Sequence, residues 1–258
     1  MALLVALLVG GCGSAQHAPT AGHKQARLSR GSRPAGSRPA AKGSASVIAL
    51  LASGAGGLPR GTSAVASAKA RPVAIYASPR DRVPEREFPT RNPFGVTQVF
   101  LVKRSIPGWL QVYLPVRPND STAWVHDASV KLKLNPYSVL VDTARHQLTI
   151  LRRGRAVLHA RVGIGKAATP TPHGLFYVLE KLRMIPTTGP YGTYAFGLSA
   201  YSNVLTTFGS GDAQVAMHGT DEPWTIGENT SNGCIHMSDT FADKLDRTLP
   251  LGTPVRIV

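Results

Sequence analysis

The sequence predicts a mainly β protein that folds as a sandwich or barrel in its C-terminal half, with a smaller β unit before it. Short apolar runs separated by turns and period-two alternation of apolar and polar residues both indicate strands. The 258 residues include 26 glycines and 20 prolines and suffice for one or two domains. The chain divides into four segments: a signal at 1–12, a linker at 13–70, a small β unit at 71–134 and a larger β unit at 135–258.

The C-terminal unit, residues 135–258, has the clearest strand pattern. Apolar residues alternate on both sides of a tight Arg153-Gly154 turn, which is typical of meandering antiparallel strands. The alternating positions are Val139, Val141, Leu148, Ile150, Ala156, Leu158, Ala160 and Val162. We therefore expect a β-sandwich or barrel here.

Two further features of this unit concern its loops and its end. Residues 169–174 and 187–192 are rich in proline and glycine, so they cannot lie in central strands and should form fixed loops. Either loop could cover a cleft. Ser238 and Asp239 are good N-cap residues for a short helix over residues 240–247. In that helix Phe241 and Leu245 lie four residues apart on one face.

The smaller unit, residues 71–134, contains short apolar runs that read as strands at 73–76, 99–102, 109–114 and 123–125. The two runs with a tryptophan are similar to those of bacterial SH3-like domains, which implies a small β-barrel. Trp109 and Trp124 form either a ligand shelf or, as is commoner in so small a domain, part of the core.

The first twelve residues predict export. Residues 2–9 are apolar but too few for the ~20 residues that span a bilayer, as in the apolar region of a secretory signal. The run ends in Gly10-Gly11-Cys12, which resembles a bacterial lipoprotein box. The resemblance implies that Cys12 is lipidated and anchors the chain to a membrane, with plain secretion as the alternative.

Residues 13–70 are rich in small and basic residues, and no acidic residue occurs before Asp81. Such a composition predicts a disordered basic linker. The net charge of +15 favours anionic partners, which include nucleic acid, anionic lipid and anionic wall polymers. Because the charge is concentrated in a linker behind an export signal, we expect no nucleic-acid partner.

Cys234 is the candidate for chemistry, since the expected lipidation would use Cys12, the other of the two cysteines. A thiol with an ordinary pKa of ~8.5 needs a neighbouring base or backbone amides to become a thiolate, and His218 is the natural base. Gly233 lets the chain turn sharply enough to aim the amides of Gly233 and Cys234 at a developing oxyanion. The pattern predicts a nucleophile beside its own oxyanion hole.

Other interpretations stay open at this point. A lone cysteine is often a buried small hydrophobe, and a lone histidine is often a hydrogen-bonded structural residue. A zinc site from Cys234, His236, His218 and Asp221 is a third interpretation. It has no second cysteine and an unusual Cys-x-His spacing, so we expect no metal.

The complete pattern is more specific than either residue. His218-Gly219-Thr220, followed by Ser231-Asn232-Gly233-Cys234-Ile235-His236-Met237-Ser238, resembles the signature of the L,D-transpeptidase catalytic domain of the YkuD type. Supporting stretches are residues 162–166, 169–174 and 251–255. The resemblance implies that Cys234 and His218 are the catalytic pair and that the Gly219 carbonyl holds the imidazole tautomer. It also implies substrate contacts, for which the candidates are Ser231, Asn232, His236, Tyr191, Tyr194 and Phe196. For the three aromatic residues, packing in the core is an equal alternative.

Two positions depart from the family pattern. Asn232 stands where the family usually has a second histidine, and it cannot exchange protons at neutral pH. His236 stands where the family usually has arginine or asparagine. As an imidazolium it would bind a substrate carboxylate or carbonyl, with a charge that depends on pH.

The resemblance implies a cell-wall L,D-transpeptidase that acts on peptidoglycan stem peptides without any cofactor. Cys234 would form a thioester with release of D-alanine, and a second stem would complete a 3-3 cross-link. Water or a protein lysine as acceptor would instead give an L,D-carboxypeptidase or a protein-to-wall anchor. A non-catalytic wall-binding lipoprotein is the alternative of another class. Each version implies an extracytoplasmic chain, membrane-anchored or associated with the wall.

Overall fold

Two β-sheets account for most of the computed structural model, which describes residues 42–52 and 57–258. The predicted mainly β fold is confirmed, and so is the helix after Cys234. The predicted signal over residues 1–12, with Cys12, lies outside the described residues. Within the described residues, no helix is long and apolar enough to cross a membrane.

The N-terminal sheet has five strands in the order β6-β5-β4-β1-β7, all antiparallel. A small ribbon of two further strands packs beside it. The strands are β1 (Ser63–Ala68), β2 (Val73–Ile75), β3 (Arg86–Phe88), β4 (Val99–Ile106), β5 (Trp109–Tyr113), β6 (Thr122–His126) and β7 (Val130–Asn135). The SH3-like assignment of this unit stays a prediction.

The boundary of the predicted linker needs correction, because residues 13–70 include two regular elements. Helix α1 (Lys42–Ala52) buries Val47 against the sheet, and its Ser44 Oγ accepts the Leu132 N–H at 3.1 Å. Strand β1 lies in the sheet between β4 and β7. Its sequence, Ser-Ala-Val-Ala-Ser-Ala, is too rich in small residues to suggest a strand. Pairing on both sides buries it nonetheless.

The C-terminal sheet has eight strands in the order β10-β9-β8-β17-β12-β13-β14-β16. Its strands are β8 (Tyr137–Asp142), β9 (Gln147–Arg152), β10 (Arg155–Arg161), β12 (Gly174–Arg183), β13 (Tyr194–Tyr201), β14 (Gln214–His218), β16 (Ile235–His236) and β17 (Pro254–Ile257). Strands β11 (Ile164–Gly165) and β15 (Asn229–Ser231) form a separate parallel pair. The predicted antiparallel meander holds for β8 to β10, whereas β17 joins β8 in parallel and β16 joins β14 in parallel.

Helix α2 (Asp239–Thr248) covers one face of this sheet. Ser238 is its N-cap, and the Ser238 Oγ accepts the Phe241 N–H at 3.3 Å. Phe241 and Leu245 are buried in the main core, together with Phe196 and Met217 of the strands. Burial of side chains of this size contributes about 1.5 to 3 kcal/mol each. The helix therefore fixes the chain that follows Cys234.

The N-terminal sheet packs against the other face of the C-terminal sheet. Tyr177 and Leu179 of β12 lie in one apolar cluster with Val65, Val99 and Leu101. Hydrogen bonds join the same two units at their edge: Tyr177 Oη to Tyr113 O at 3.0 Å, Asn119 Nδ2 to Tyr201 O at 2.8 Å, and Arg117 Nη2 to Asp212 O at 2.8 Å. The two units are thus held in contact through both apolar and polar groups.

Candidate active site

His218 and Cys234 are brought together by two adjacent parallel strands. His218 ends β14 and pairs with His236 of β16, while Met217 pairs with Ile235. Cys234 directly precedes Ile235, so it takes the next place along the sheet, beside Ala216. The Met237 N–H donates to the His218 carbonyl at 2.9 Å and continues the ladder. Strand register therefore places Cys234 and His218 on the same face of the sheet, with Cys234 two positions before the His218–His236 pair.

The turn before Cys234 is built on Ser231 and Gly233. Gly233 has a φ of +115°, which residues with a Cβ rarely adopt. Ser231 Oγ donates to the Cys234 carbonyl at 2.6 Å and accepts the Gly233 N–H at 3.1 Å. Because the Gly233 N–H is used inside the turn, the predicted oxyanion hole loses that donor. Ser231 itself is buried and supports the turn rather than facing a substrate.

The proline-rich loop at 169–174 lies under this turn. Thr171 Oγ1 donates to the Gly233 carbonyl at 3.0 Å and accepts the Gly165 N–H at 2.9 Å. Thr169 Oγ1 donates to the Ser231 carbonyl at 3.3 Å. The loop is fixed, as expected, but it supports the Cys234 turn from below instead of covering a cleft.

The tautomer of His218 follows from its partner. Its Nδ1 lies 2.5 Å from the carbonyl oxygen of Gly219, and a carbonyl can only accept, so Nδ1 carries the proton. Nε2 of the neutral ring is then a lone-pair acceptor. The side chain is 3% exposed, and this burial, reinforced by the neighbouring His236, lowers the pKa of His218 to about 3. His218 is therefore a neutral base at physiological pH.

Cys234 is a free thiol and partly exposed. Burial raises the pKa of Cys234 above its ordinary value, and a backbone hydrogen bond with Ala216 acts in the opposite direction with a smaller effect. The resting pair is thus a thiol beside a neutral imidazole, not a thiolate beside an imidazolium. Deprotonation of the thiol has to accompany its attack.

His236 is fixed by Thr225, a residue that no sequence pattern marks as functional. Thr225 Oγ1 donates its one proton to the Glu222 carbonyl at 2.7 Å and lies 3.0 Å from Nδ1 of His236. The hydroxyl therefore accepts from Nδ1–H, and the neutral His236 ring presents Nε2 as an acceptor. Burial lowers the pKa of His236, although Glu222 and Asp221 act to raise it. The imidazolium expected to bind a carboxylate is accordingly disfavoured at neutral pH.

Tyr191 is held against His218 by the loop at 187–192. The two rings are 4.9 Å apart, edge to face. Asp239 fixes the loop, because its Oδ1 accepts the Thr193 N–H at 3.0 Å and lies against both Gly192 and Gly219. A Cβ at either glycine would come within 1.9 Å of that oxygen. Asp239, predicted as an N-cap, thus ties the Tyr191 loop to the backbone that follows His218.

The other residues predicted to contact substrate, Asn232, Tyr194 and Phe196, lie further from His218 and Cys234. Asn232 is exposed at the tip of the turn. Tyr194 and Phe196 alternate with Ala195, which pairs with His218, so they point to the opposite face and pack in the core. Their predicted substrate contact is therefore not supported by the structure. Across residues 42–52 and 57–258, no group of three or more histidine, cysteine or acidic side chains is placed to hold a metal ion.

These two histidines, the thiol and the fixed turn form a site in the part of the chain that a family model matches. Residues 136–257 match the model described as YkuD: L,D-transpeptidase catalytic domain. The match, which spans just under half of the chain, supports an enzyme domain of the L,D-transpeptidase type in this region.

Two curated relatives agree with that class. The chain is 31% identical over 122 residues to a Bacillus subtilis (strain 168) protein named "Putative L,D-transpeptidase YkuD", and equally to the Bacillus licheniformis protein of the same name. Each match covers 47% of this chain and 66% of the relative. Among solved structures, an L,D-transpeptidase from Mycobacterium smegmatis is 18% identical with a TM-score of 0.40, over 62% of this chain and 90% of that chain.

Proposed function

We propose that this protein is a cell-wall L,D-transpeptidase in which Cys234 is the nucleophile and His218 the general base. The observation that carries the proposal is that His218 ends β14 and Cys234 directly precedes β16, the parallel neighbour of β14, with Nδ1–H of His218 committed to the Gly219 carbonyl. That bond leaves Nε2 as the one ring nitrogen that can take a proton. The matched family model supports the donor class, peptidoglycan stem peptides.

Acylation begins with a neutral thiol. As the sulfur attacks the carbonyl carbon that precedes the terminal D-alanine, the thiol proton passes to Nε2 of His218 and the carbonyl oxygen becomes an oxyanion. The Cys234 N–H is the donor of the predicted hole that Ser231 does not engage. When the oxyanion collapses, the C–N bond breaks and the D-alanine amine leaves with the proton from Nε2.

Deacylation reverses the proton transfers. The amine of a second stem attacks the thioester carbon and gives its proton to Nε2 of His218. The C–S bond then breaks, and the thiolate recovers that proton. A metal or organic cofactor has no part in either half, because the thioester conserves the energy of the cleaved amide. The same thioester passed to water or to a protein lysine gives the carboxypeptidase or anchoring reaction.

The test is intact-protein mass spectrometry after mixing the protein with a disaccharide tetrapeptide stem. We expect a mass gain equal to a tripeptide thioester together with released D-alanine, and neither in Cys234→Ala. Addition of an acceptor stem should remove the adduct and yield cross-linked product. Absence of both adduct and D-alanine would favour the non-catalytic wall-binding alternative. Release of free tripeptide and D-alanine without cross-linked product would favour the carboxypeptidase.

We also propose that the chain works outside the cytoplasm, anchored to the membrane through a lipid on Cys12 or associated with the wall. The support is the apolar run before Gly10-Gly11-Cys12 and the basic composition that follows it, which suits anionic wall polymers. Labelling cells with a radioactive fatty acid should mark the wild-type protein and not Cys12→Ala. Equal labelling of both would exclude Cys12 as the anchor.

A further inference from the structure

A cavity of about 760 Å³ lies between the N-terminal unit and the C-terminal sheet. Its volume is within the range of small-molecule sites, ≈ 300–1,000 Å³. Most of its lining is apolar, including Phe88, Phe94 and Leu182. Tyr191 lines it as well, and the ring of Tyr191 touches His218. The cavity therefore extends to the Tyr191 ring beside His218, and neither His218 nor Cys234 is itself part of its lining.

Strand register places one acidic side chain in this cavity on the same sheet face as the thiol. Glu180 of β12 pairs with Gly197 of β13, and Gly197 pairs with Ala216 of β14. Cys234 takes the next place beside Ala216. Directly paired residues share a face, so Glu180 and Cys234 stand at two ends of one row.

The row is open between its ends because its middle positions are small. Gly197 has no side chain, and a Cβ there would lie 1.9 Å from Oε1 of Glu180, so the carboxylate itself lies over Gly197. Ala216 contributes only a methyl group. At ~4.8 Å between neighbouring strands, the carboxylate is roughly 10 Å from the strand that carries Cys234.

The carboxyl group is built into the fold and still has acceptor capacity. Glu180 is 2% exposed. Asn92 Nδ2 of the N-terminal unit donates to its Oε2 at 2.8 Å, and Gln214 Nε2 of β14 donates to its Oε1 at 2.9 Å. A carboxylate offers about four acceptor positions, so each oxygen can accept one further hydrogen bond. A buried carboxylate stabilised only by neutral amides is electrostatically incomplete, and a cation is its best complement.

The state of the carboxyl group in the free protein agrees with this. Burial raises the pKa of Glu180 to about 7, with a smaller contribution from Asp212, while the Gln214 and Asn92 hydrogen bonds lower it. An alkylammonium group keeps its proton well above that pH, since its reference pKa is ~10.4. Its arrival would favour the ionised form of Glu180 and form a charge-assisted hydrogen bond in an apolar cavity.

The distance between Glu180 and Cys234 determines whether the attacking amine of the acceptor or a side-chain amine of the donor can bind Glu180. The amine that attacks a thioester must come within about 3 to 3.5 Å of the carbon on Cys234, too close to the sulfur to reach Glu180 as well. Of the roughly 10 Å between the Glu180 carboxylate and the strand of Cys234, a hydrogen bond to Glu180 takes ~3 Å and the reacting contact at Cys234 takes another ~3 Å. A few ångströms remain for the ligand atoms between them. A side-chain amine on a short alkyl chain, in the residue whose carbonyl is attacked, spans that gap.

We propose that Glu180 binds the side-chain ammonium of the donor residue whose carbonyl Cys234 attacks, with the Gly197 and Ala216 trough holding the alkyl chain. The proposal rests on the proposed function for the identity of the donor. It makes Glu180 a specificity residue: a donor with a free side-chain amine is accepted, and one whose amine is already acylated or absent is disfavoured.

The first test is binding without turnover, in the Cys234→Ala protein. Nα-acetyl-lysine methylamide, in both enantiomers, is titrated by NMR against Nα-acetyl-norleucine methylamide, which has the same chain without the amine. We expect the lysine compound to bind about ten- to a hundredfold more tightly. Adding Glu180→Gln should abolish the preference, and adding Glu87→Gln, the same change at an exposed position outside the cavity, should keep it. No preference at any accessible concentration, or a preference that survives Glu180→Gln, overturns the proposal.

The second test separates this inference from the proposed function. Thioester formation on the wild-type Cys234 is measured with stems whose side-chain amine is free or acetylated. A faster reaction with the free amine, lost in Glu180→Gln, supports the proposal. Equal rates in both proteins overturn it and leave the transpeptidase function intact. If no stem forms an adduct, the proposed function fails, and the binding test still decides whether Glu180 holds an amine.

Discussion

Thr225 and His236 are joined by a hydrogen bond of 3.0 Å that determines which nitrogen of the His236 ring carries a proton. Since Thr225 gives its own proton to the Glu222 carbonyl, it can only accept from Nδ1–H, and Nε2 of His236 faces the site as an acceptor. His236 and His218 are neighbours, with ring centroids 4.7 Å apart. A single threonine thus determines the hydrogen-bonding character of the His236 ring beside the proposed catalytic pair.

Thr225→Val should remove the hydrogen bond that fixes the tautomer of His236. The valine has nearly the same shape but cannot accept, so Nδ1 loses its partner and the ring can change tautomer. Loss of one such hydrogen bond costs about 1 kcal/mol, and we expect a five- to tenfold fall in kcat/KM for stem acylation. Nitrogen-15 NMR of the imidazole should show the tautomer shift. Thr225→Ser keeps the hydroxyl and should restore both readouts, and an unchanged tautomer in Thr225→Val would contradict the assignment.

The same site predicts a nearly flat pH dependence of substrate affinity at neutral pH. Burial holds the pKa of His236 below 6.5, so the imidazolium that would attract a carboxylate is already lost before pH 7. Apparent KM for a tetrapeptide stem should change little between pH 7 and 8. A steep rise of KM across that interval, absent in His236→Gln, would show instead that the charged ring binds substrate at neutral pH.

The protonation state of Cys234 and His218, the proposed catalytic pair, can be measured by alkylation. With His218 neutral above pH 3 or so and the pKa of Cys234 raised by burial, the rate of iodoacetamide labelling should keep increasing beyond pH ~8.5. His218→Ala should leave that profile almost unchanged, because no imidazolium assists the thiolate in the resting protein. Acylation by stem peptide should fall by about 10²- to 10⁴-fold in the same variant. An inflection well below pH 8 that His218→Ala removes would reveal an ion pair.

Sequence patterns predicted those parts of the fold that depend on neighbours along the chain. Period-two alternation found β8, β9 and β10, and the N-cap at Ser238 found α2. Strand β1 was not predicted, because its alanines and serines have no strong strand preference. Its burial comes from pairing with β4 and β7. The parallel pairing of β17 with β8 was not predicted either, because the pairing of strands far apart in the chain is not encoded in a local sequence pattern.

In the site, Gly233 before Cys234 predicted a turn. It did not predict which acceptors the backbone N–H groups of that turn would bind. Ser231 uses the Gly233 N–H, a consequence of the exact turn geometry that a glycine alone does not specify. Thr225 and Asp239 also carried no signal, because a threonine or aspartate in a loop usually serves local backbone bonding. Their contacts with His236 and with Thr193 arise from chain segments brought together only by folding.

Glu180 should make the stability of the protein depend on pH. The pKa of Glu180 is about 7 in the folded protein, where burial raises it, and near its ordinary value of 4.5 in the unfolded chain. Between those values the unfolded chain has released the proton while the folded protein keeps it, so stability is highest below pH 4.5 and declines up to pH 7. The contribution of this group is about 3 kcal/mol.

Chemical unfolding at pH 5 and pH 7.5 measures this effect. The wild type should lose more stability between the two values than Glu180→Gln, whose amide does not titrate. Asp212 and Tyr201 face the same carboxyl group, and Asp212→Asn, which removes only a minor contribution to the pKa, serves as the control. An identical loss in the wild type and in Glu180→Gln would mean that Glu180 ionises normally in the folded protein.

Gly219 should tolerate no side chain, because Asp239 occupies the space. A Cβ at Gly219 would come within 1.9 Å of Asp239 Oδ1 and 3.1 Å of Gly192. To relieve this contact Asp239 must release the Thr193 N–H, and the loop that holds Tyr191 against His218 must move. We expect Gly219→Ala to lower the free energy of unfolding by about 1 to 3 kcal/mol. It should also slow stem acylation at least tenfold.

The matched control is Gly43→Ala, where an added Cβ meets no atom within 4 Å. This glycine lies in helix α1, where alanine is the better helix former, so stability should stay constant or rise slightly. The double variant Gly219→Ala with Asp239→Ala distinguishes steric conflict from loss of the glycine itself. If Asp239 is the obstacle, the second change recovers part of the stability without restoring the Tyr191 loop. Stability equal to that of Gly219→Ala alone would place the strain in the backbone after His218 instead.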